Sequence, residues 1–552
     1  MTKPAARTPV EAVPAATGDH ATWPVRLWPL VTLVLVTVLA LLAWWTGPVS
    51  LTAPWDVFIL LDGAYRIDLG QVPSTDFENP IGPLVYGLVA LGMKVQAVPS
   101  LAAVTYGTLG FLAATAPLAW IVARRRLSAV YAAGFTVFMT LLVIATRPLG
   151  YSPWTTTYAM LCNRFGWVLY SMLLLLVMLR PAGPLSARRV VVDGLVLGFL
   201  LGLMFYCKAN FFAAGAVAVV VGFALGTVPR NLRFAFAAAA GFLGVAVAMR
   251  FVLGISITGY LGDVVHAGGS QGDQRLGMLV RSVCFTAPAA LLAAGILIGM
   301  FMRARRTGAP TRPLRDVAVA SGFIWVSTGL VAAANTAEHG DLPALVVIPL
   351  LLTTVVSRPS GVRTPALALA GVAVLVATAG PIAAKDALSV GHAVSSRDYV
   401  AVPPGSQRIA SPNLRDFVVP HDAHWQTAYR EANMVPEMIN NGVELLRRHA
   451  NPSDTVSTIG LTDPFSFALS LPPSRGGPLW WDVGISFDRS VHPTAEQAFA
   501  TTDWLMVPRL VDGQGCCAAT VTTMLEVYGP YLDEHFTEVE STADWRLLGR
   551  KR

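Results

Sequence analysis

The sequence has little charge and few cysteines. Only 13% of its 552 residues are charged, whereas 54% are hydrophobic, more than a water-soluble core absorbs. Its five cysteines show no Cys/His spacing typical of zinc sites, and no Gly-rich phosphate loop with its Lys or nucleophilic Ser elbow is present. These absences argue against a zinc protein, a P-loop NTPase and a serine hydrolase.

Long apolar runs are abundant instead, which is typical of a membrane protein. Runs of roughly 18 to 22 mostly apolar residues recur from Leu27 to Ile382, each long enough to cross about 30 Å of hydrocarbon as a helix. The first run lacks the cleavage pattern of a signal peptide, so we expect an uncleaved anchor. Residues 1–26, rich in Ala, Pro and Thr, are expected to form a disordered cytoplasmic tail.

Arginine clusters set the expected orientation, because basic flanks of membrane helices stay cytoplasmic. All clusters fall on one side if segment 81–97, rich in Gly and Pro, does not cross the bilayer. About eleven spans remain, with the N-terminus inside and the C-terminus outside an inner (plasma) membrane. The net charge of +7 is then mostly cytoplasmic Arg and does not indicate nucleic-acid binding. The clusters are Arg124 to Arg126; Arg180, Arg188 and Arg189; Arg230 and Arg233; Arg303 to Arg315; and Arg358 and Arg363. The predicted spans are 27–47, 100–122, 128–145, 163–180, 190–207, 211–227, 234–255, 283–302, 315–335, 343–357 and 364–383.

The composition changes after Lys385 to mixed polar, aromatic and Pro/Gly-punctuated sequence. We therefore predict a transmembrane domain over 27–384, with a first external loop over 48–99, and an exported α/β domain over 385–552. A helix over 437–450, strands over 454–461, 503–510 and 544–551, and a helix from Ala518 follow from the periodicity. Cys516 and Cys517 are adjacent there and can bond only through a strained ring.

The first external loop carries an unusual density of acidic residues beside hydrocarbon. Acidic residues near a bilayer tend to be paired or functional, although loop carboxylates are ordinarily just solvated. In "WDVFILLDGAYRIDLG" the apolar residues recur at helical spacing. This pattern predicts a short interfacial helix with Asp62 and Arg66 one turn apart on a common face.

The order of motifs resembles the C-type glycosyltransferase superfamily, which includes protein O-mannosyltransferases and lipid A aminoarabinose transferases. Family members often carry Asp-Glu after the first helix and then Pro-Pro-Leu-x-Tyr; this chain has Asp62-Gly63 and then "PIGPLVY", Pro80 to Tyr86. The stretch "LGFLLGLMFYCKANFF" resembles the family's helix ending in an outer Lys, here Lys208. The stretch "EHGDLPALVVIPLLL" resembles its penultimate span, with His339 and Asp341. The likeness covers roughly residues 27 to 383 and implies a fold of that type.

The resemblance implies that a sugar moves from a polyprenyl-phosphate donor to an extracytoplasmic glycan or lipid-linked envelope acceptor, with inversion. Asp62 would be the general base, and Asp76 is the rival. The candidates for binding the donor phosphate are Arg66, Lys208, Arg164 and His339. Because Gly63 replaces the family's Glu and the second external loop has no acidic residue, we expect neither a metal nor another cofactor.

Each candidate also has a structural explanation. Arg66 suits a simple ion pair with Asp62, Lys208 and Arg164 lie at helix ends where long basic side chains snorkel, His339 suits a solvated loop, and Asp76 suits a turn cap. The alternative function is a transporter or a lipid or polysaccharide flippase, which favours internal repeats and mid-helix charges. A non-enzymatic protein that binds through its exported domain is a third alternative, but it leaves the acidic loop unexplained.

Overall fold

The computed structural model describes residues 22–47, 54–181, 183, 186–270, 274–308, 310–335, 340–356, 365–396, 407–419, 436–509 and 518–551. Over these residues the chain is mostly helical, with a small sheet near the C-terminus. Eight of the described helices are long and apolar enough to cross a membrane. The fold is therefore that of a polytopic helical membrane protein, as the apolar runs predict.

The described residues up to 396 fold mainly into helices that follow one another along the chain. In chain order they are α1 (Thr22–Thr46), α2 (Pro54–Asp68), α3 (Leu84–Lys94), α4 (Ala102–Arg124), α5 (Ala129–Ile144), α6 (Leu161–Met178), α7 (Ala187–Cys207), α8 (Ala209–Leu225), α9 (Leu232–Leu253), α10 (Ile257–Ser270), α11 (Gln274–Thr307), α12 (Arg312–Ala333), α13 (Val347–Val356) and α14 (Pro365–Ser395). A short 3-10 helix, Pro343–Val346, precedes α13.

Every predicted span coincides with an apolar helix, although not all are equally long. The eight long helices are α1, α4, α6, α7, α9, α11, α12 and α14, and the predicted spans 128–145, 211–227 and 343–357 correspond to shorter apolar helices. Segment 81–97 contains α3, whose 11 residues extend only about 16 Å at 1.5 Å per residue. That length is shorter than the hydrocarbon core is thick, and the assignment of this segment as non-crossing stays a prediction.

Ion pairs join several of the predicted cytoplasmic helix ends. Arg125 and Arg126, after α4, pair with Asp193 in the second turn of α7 at 2.6 and 2.8 Å. Arg180, after α6, lies 3.5 Å from Asp316 at the start of α12. The basic ends of these helices therefore lie at the same end of the bundle. Arg358 and Arg363 lie outside the described residues.

Helix α6 lies at the centre of the bundle, and all of its residues are buried. Around it, α7 packs closely on α9 through small residues, as is common between membrane helices. A Cβ atom on Gly198 of α7 would overlap the carbonyl group of Ala238 in α9. The absence of a side chain at this position therefore lets the two backbones come together.

The C-terminal region forms a mixed four-stranded sheet in the order β3 (Val456–Thr458), β4 (Trp504–Pro508), β6 (Trp545–Arg550) and β5 (Phe536–Ser541). Strand β3 is parallel to β4, and the other neighbours are antiparallel. The predicted strands and helices are present, but β5 was missed because its mostly exposed, charged sequence "FTEVES" lacks the alternation of a half-buried strand. The strands are β1 (Gln407–Arg408), β2 (Val418–Val419), β3 (Val456–Thr458), β4 (Trp504–Pro508), β5 (Phe536–Ser541) and β6 (Trp545–Arg550); the helices are α15 (Pro436–His449), α16 (Phe465–Leu469), α17 (Ala495–Phe499) and α18 (Ala518–His535).

The C-terminal region covers α2, so the expectation of a helix lying in the membrane interface needs correction. The ring of Phe58 lies 5.3 Å from that of Phe417, and Tyr65 meets Phe467 edge-on at 5.6 Å between centroids. Residues 57–66 are all buried. The helix forms as predicted, but its apolar residues pack against protein, and one continuous core joins α2 to the C-terminal region.

Candidate functional site

The predicted ion pair on α2 is present and buried. Arg66 Nε donates to Asp62 Oδ2 at 2.9 Å across one helical turn. Asp62 is 0% exposed and Arg66 is 6% exposed. The common face expected from the sequence is thus confirmed. Removing Arg66 would leave the Asp62 carboxylate buried without its charge partner, which is strongly destabilising, whereas Asp62→Asn keeps a side-chain oxygen that can accept from Arg66 Nε.

Arg66 also connects α2 to the C-terminal region. Its Nη1 donates to the carbonyl oxygen of Ser474 at 2.5 Å, and nearby Gln71 donates through Nε2 to the carbonyl oxygen of Pro473 at 2.8 Å. The guanidinium group therefore bridges a carboxylate on α2 and a backbone carbonyl 408 positions away in sequence. These contacts position the C-terminal region, while a role of Arg66 in phosphate binding stays a prediction.

Asp62 and Arg66 line a polar cleft whose other residues come from the C-terminal region. Including its open mouth, the cleft encloses about 350 Å³. It lies at the carboxyl end of β3, the edge of a parallel strand pair where ligands commonly bind in open α/β sheets. The residues that the C-terminal region contributes are Ser457, Thr458, Thr462, Asp463, Ser474, Gly477, Pro478, Leu479, Trp481 and Ala498.

The two carboxylates of the cleft differ in their hydrogen bonding. Asp463 accepts from Thr458 Oγ1 at 2.9 Å, from the Phe465 backbone N–H at 3.0 Å and from Ser466 Oγ at 2.5 Å. Asp62 has only Arg66 on Oδ2, and its buried Oδ1 has no hydrogen-bond partner among the described residues. Asp463 is therefore fixed in place, whereas Asp62 keeps one oxygen available.

Burial favours the protonated form of both carboxylates. It raises the pKa of the Asp62 carboxyl to about 7; the charge of Arg66 opposes this shift and that of Asp463 adds to it. Burial likewise raises the pKa of Asp463, against the hydrogen bonds that it accepts. A carboxylate with a pKa near 7 is suited to accept a proton at neutral pH.

Asp76, the rival base, is engaged at both oxygens. Its Oδ2 accepts from the Val72 backbone N–H at 2.7 Å, which closes a turn. Its Oδ1 pairs with Arg475 of the C-terminal region at 2.9 Å. The structure thus places Asp76 where it caps a turn and helps to hold the C-terminal region.

Of the predicted phosphate-binding residues that the structure describes, Arg66 lines the cleft, whereas Lys208 and Arg164 do not. Lys208, between α7 and α8, is partly exposed and donates through Nζ to Asn163 Oδ1 at 2.9 Å. Arg164 is 3% exposed and donates to the carbonyl oxygens of Leu142 and Arg147. Its guanidinium group thus holds helix ends together. His339 lies outside the described residues.

A buried ionic network, whose members apart from Asp341 were not predicted from the sequence, joins the neighbouring helix ends. Arg147, 0% exposed, pairs with Asp341 at 2.6 Å and with Asp386 at 2.8 Å. Asp341 also accepts from Lys385 Nζ at 3.0 Å and from the Gly150 backbone N–H at 3.0 Å. Its members are far apart in the chain, so no local pattern could have revealed the network.

Asp56, in the first turn of α2, is a further carboxylate that the sequence did not single out as a candidate. Burial raises the pKa of its carboxyl to about 7. A hydrogen bond with the Met160 backbone opposes this shift, and the charge of Asp482 adds to it. Met160 begins the turn that leads to Asn163, the partner of Lys208. Asp56 therefore lies on the Lys208 side of α2. The sequence signal that could have identified it as a candidate is its position shortly after the first span.

The departure from the family's Asp-Glu pair has a packing explanation. A Cβ atom on Gly63 would come within 2.6 Å of Tyr86 Cδ1 and 2.8 Å of Leu479 Cδ2. Tyr86 belongs to the "PIGPLVY" segment, and Leu479 belongs to the C-terminal region. Gly63 is therefore a point where α2, α3 and the C-terminal region approach closely, with no room for a Glu side chain.

Comparison with known proteins yields structural similarity only. No protein-family model matches the chain, and no curated protein sequence matches it. The structure is similar to the aminoarabinose transferase ArnT of Cupriavidus metallidurans in the apo state, with 15% identity, a TM-score of 0.43, and coverage of 96% of this chain and 98% of that one. The same enzyme bound to undecaprenyl phosphate gives 13% identity and a TM-score of 0.42 over the same shares of the two chains.

A third similar structure is the mycobacterial arabinofuranosyltransferase AftD. It shares 15% identity at a TM-score of 0.39, covering 94% of this chain and 40% of AftD. These values describe a similarity along nearly the whole of this chain and do not by themselves establish a family.

Proposed function

We propose that the chain is a multi-pass membrane glycosyltransferase that moves a sugar from a polyprenyl-phosphate donor to an extracytoplasmic envelope acceptor. The order of motifs from the first span to Asp341 supports the class of enzyme. The observation that carries the proposal is the unpartnered Oδ1 of Asp62, on a buried carboxyl whose pKa is raised to about 7, at the wall of a polar cleft.

The reaction is a single inverting displacement with Asp62 as base. The acceptor oxygen attacks the anomeric carbon, its proton passes to Asp62, and the bond from the anomeric carbon to the phosphate oxygen breaks. The polyprenyl phosphate leaves with that electron pair, and a fixed cation stabilises its charge. Lys208 suits this role because its partly exposed ammonium group has a neutral amide as its hydrogen-bond partner.

The proposed topology places the cleft outside the cell. The basic helix ends joined by Asp193 and Asp316 form the cytoplasmic end, with the N-terminus, and the C-terminal region with α2 forms the periplasmic or extracellular end. A hydrophobic lipid donor would then reach the site from the outer leaflet. The transporter or flippase alternative gains no support from the ion pairs of Asp193 and Asp341, since they lie in loops and near helix ends.

The test compares three carboxamide variants of the full-length protein in nanodiscs: Asp62→Asn, Asp76→Asn and Asp56→Asn. Radiolabelled polyprenyl-phosphate sugars are supplied with an envelope extract, and transfer of the label is measured. We expect Asp62→Asn to lower turnover about 10²- to 10⁴-fold, the usual contribution of a general base, and Asp76→Asn to retain most activity. Loss in Asp56→Asn alone would move the base to Asp56, and full activity in all three would refute a base on this loop.

Donor binding is tested separately with undecaprenyl phosphate as the probe. Lys208→Ala should weaken its binding, because a fixed positive charge near the phosphate is lost. Asp62→Asn should leave that binding intact. If undecaprenyl phosphate binds equally well to the wild type and to Lys208→Ala, Lys208 is not part of the phosphate site.

A further inference from the structure

The C-terminal region supplies most of the wall of the cleft that contains Asp62. This wall includes Thr458 at the end of β3 and Thr462 and Asp463 in the loop that follows. All three side chains are polar and buried. A region that served only to cover α2 would be expected to present apolar side chains here, as it does at Phe417 and Phe467.

Two buried polar atoms of the cleft have no hydrogen-bond partner among the described residues. They are Asp62 Oδ1 and Thr462 Oγ1, on cleft-lining side chains from α2 and from the C-terminal region that are 0% and 2% exposed. Such atoms are rare in folded proteins, because a buried polar atom without a partner is destabilising. The floor of the cleft has space for one group of the size of a water molecule or a hydroxyl. A bound hydroxyl group supplies what these atoms lack, an acceptor for the Thr462 hydroxyl and a donor for Asp62.

The charge of the cleft favours a neutral ligand over the donor phosphate. Asp62 and Asp463 bring two carboxyl groups together, and Arg66 is already held by Asp62 and a backbone carbonyl. A phosphate would meet repulsion here, whereas a hydroxyl can donate to a carboxylate and accept from a threonine. A sugar with neighbouring hydroxyls offers hydrogen-bond donors and acceptors that match this set of groups.

We propose that this cleft is the acceptor subsite, that its ligand is a carbohydrate, and that Thr462 and Asp463 hold the acceptor sugar against Asp62. The proposal rests on the proposed function and extends it to the acceptor. The attacking hydroxyl accepts from Thr462 and donates its proton to Asp62 Oδ1 as its oxygen bonds to the anomeric carbon and the phosphate departs. Asp463, held by its three donors, accepts from a neighbouring hydroxyl of the same sugar.

The test measures binding of methyl glycosides to the full-length protein in nanodiscs by saturation-transfer NMR. The probes are the methyl glycosides of mannose, glucose, galactose and arabinofuranose. Thr462→Val keeps the shape of the side chain and replaces the hydroxyl by a methyl group. Thr502→Val is the matched control, because Thr502 Oγ1 is also buried without a partner among the described residues but does not line the cleft.

We expect saturable binding of at least one glycoside by the wild type and by Thr502→Val, and binding about tenfold weaker in Thr462→Val, as one hydrogen bond is lost. Asp463→Asn should weaken the binding of the same glycoside. Both threonine variants should be as stable as wild type, because neither hydroxyl has a hydrogen-bond partner among the described residues.

Two results would overturn the acceptor subsite: no glycoside binds the wild type, or Thr462→Val binds as tightly as Thr502→Val. In the second case the cleft floor holds a structural water only. Undecaprenyl phosphate is measured on the same samples. If it binds while the glycosides do not, the acceptor subsite fails and the proposed function stands; if it does not bind, the proposed function itself fails.

Discussion

Replacing Asp341 by Asn should destabilise the helical bundle more than the loss of a surface ion pair does. Asp341 lies 2.6 Å from Arg147 and 3.0 Å from Lys385, and Arg147 is fully buried. Asp341→Asn would leave the guanidinium of Arg147 with Asp386, at 2.8 Å, as its remaining anion among the described residues. Removing one member of a buried pair costs about 3–5 kcal/mol. Because Asp386 remains, we expect a value near the lower end, about 3 kcal/mol.

The assay is unfolding by SDS from mixed micelles, followed through the fluorescence of the chain's 14 tryptophans. Asp316→Asn is the matched control, because its pair with Arg180 is long, at 3.5 Å, and largely exposed. Such surface pairs contribute about 0–1 kcal/mol. A free energy of unfolding for Asp341→Asn within error of that for Asp316→Asn would refute the role assigned to the network.

The same comparison has a defined pH dependence. Burial alone would raise the pKa of the Asp341 carboxyl, but the charge and hydrogen bond of Arg147, with Gly150 and Lys385, lower it below its ordinary value of 3.8. A lowered pKa in the folded state means that the contribution is complete above the unfolded pKa and is lost as the pH falls through the folded pKa. The contribution of Asp341 should therefore be complete from pH 8 to about 5 and be lost only at lower pH. A difference that changed over this range would point to another titrating group.

Four further predictions concern topology, metal, pH and packing. In a chain whose own cysteines are replaced, Arg489→Cys should react with an impermeant maleimide from outside and Arg188→Cys only after permeabilisation, and labelling of both from one side would contradict the topology. Transfer should persist in EDTA, since the second external loop has no carboxylate; a loss restored by manganese or magnesium would show this to be wrong. The rate should rise as the pH passes about 7, because Asp62 acts as a base only when deprotonated; a flat profile through that range would argue against Asp62 as the base. Gly63→Ala should cost about 1–3 kcal/mol of stability through overpacking against Tyr86, and an unchanged free energy of unfolding would show that α2 can shift.

The sequence by itself determined the class of fold and the local elements. Apolar runs longer than a bilayer is thick must be buried in lipid or protein as helices, so their positions were predictable without tertiary information. The pairing of Asp62 with Arg66 was also local, because residues four apart meet on any helix. The alternation around β3, β4 and α15 gave the C-terminal α/β region for the same reason.

The tertiary structure alone decided what surrounds those local elements. The same pattern that predicted an amphipathic α2 could not distinguish lipid from protein as its apolar partner, since both bury hydrocarbon equally well. The contacts of Arg66 with Ser474, of Arg147 with Asp341 and of Gly63 with Leu479 join positions far apart in the chain. Such contacts depend on how whole elements pack, and no sequence period encodes them. For that reason the sequence proposed a base on α2, whereas only the folded chain brought Thr462 and Asp463 of the C-terminal region to face it.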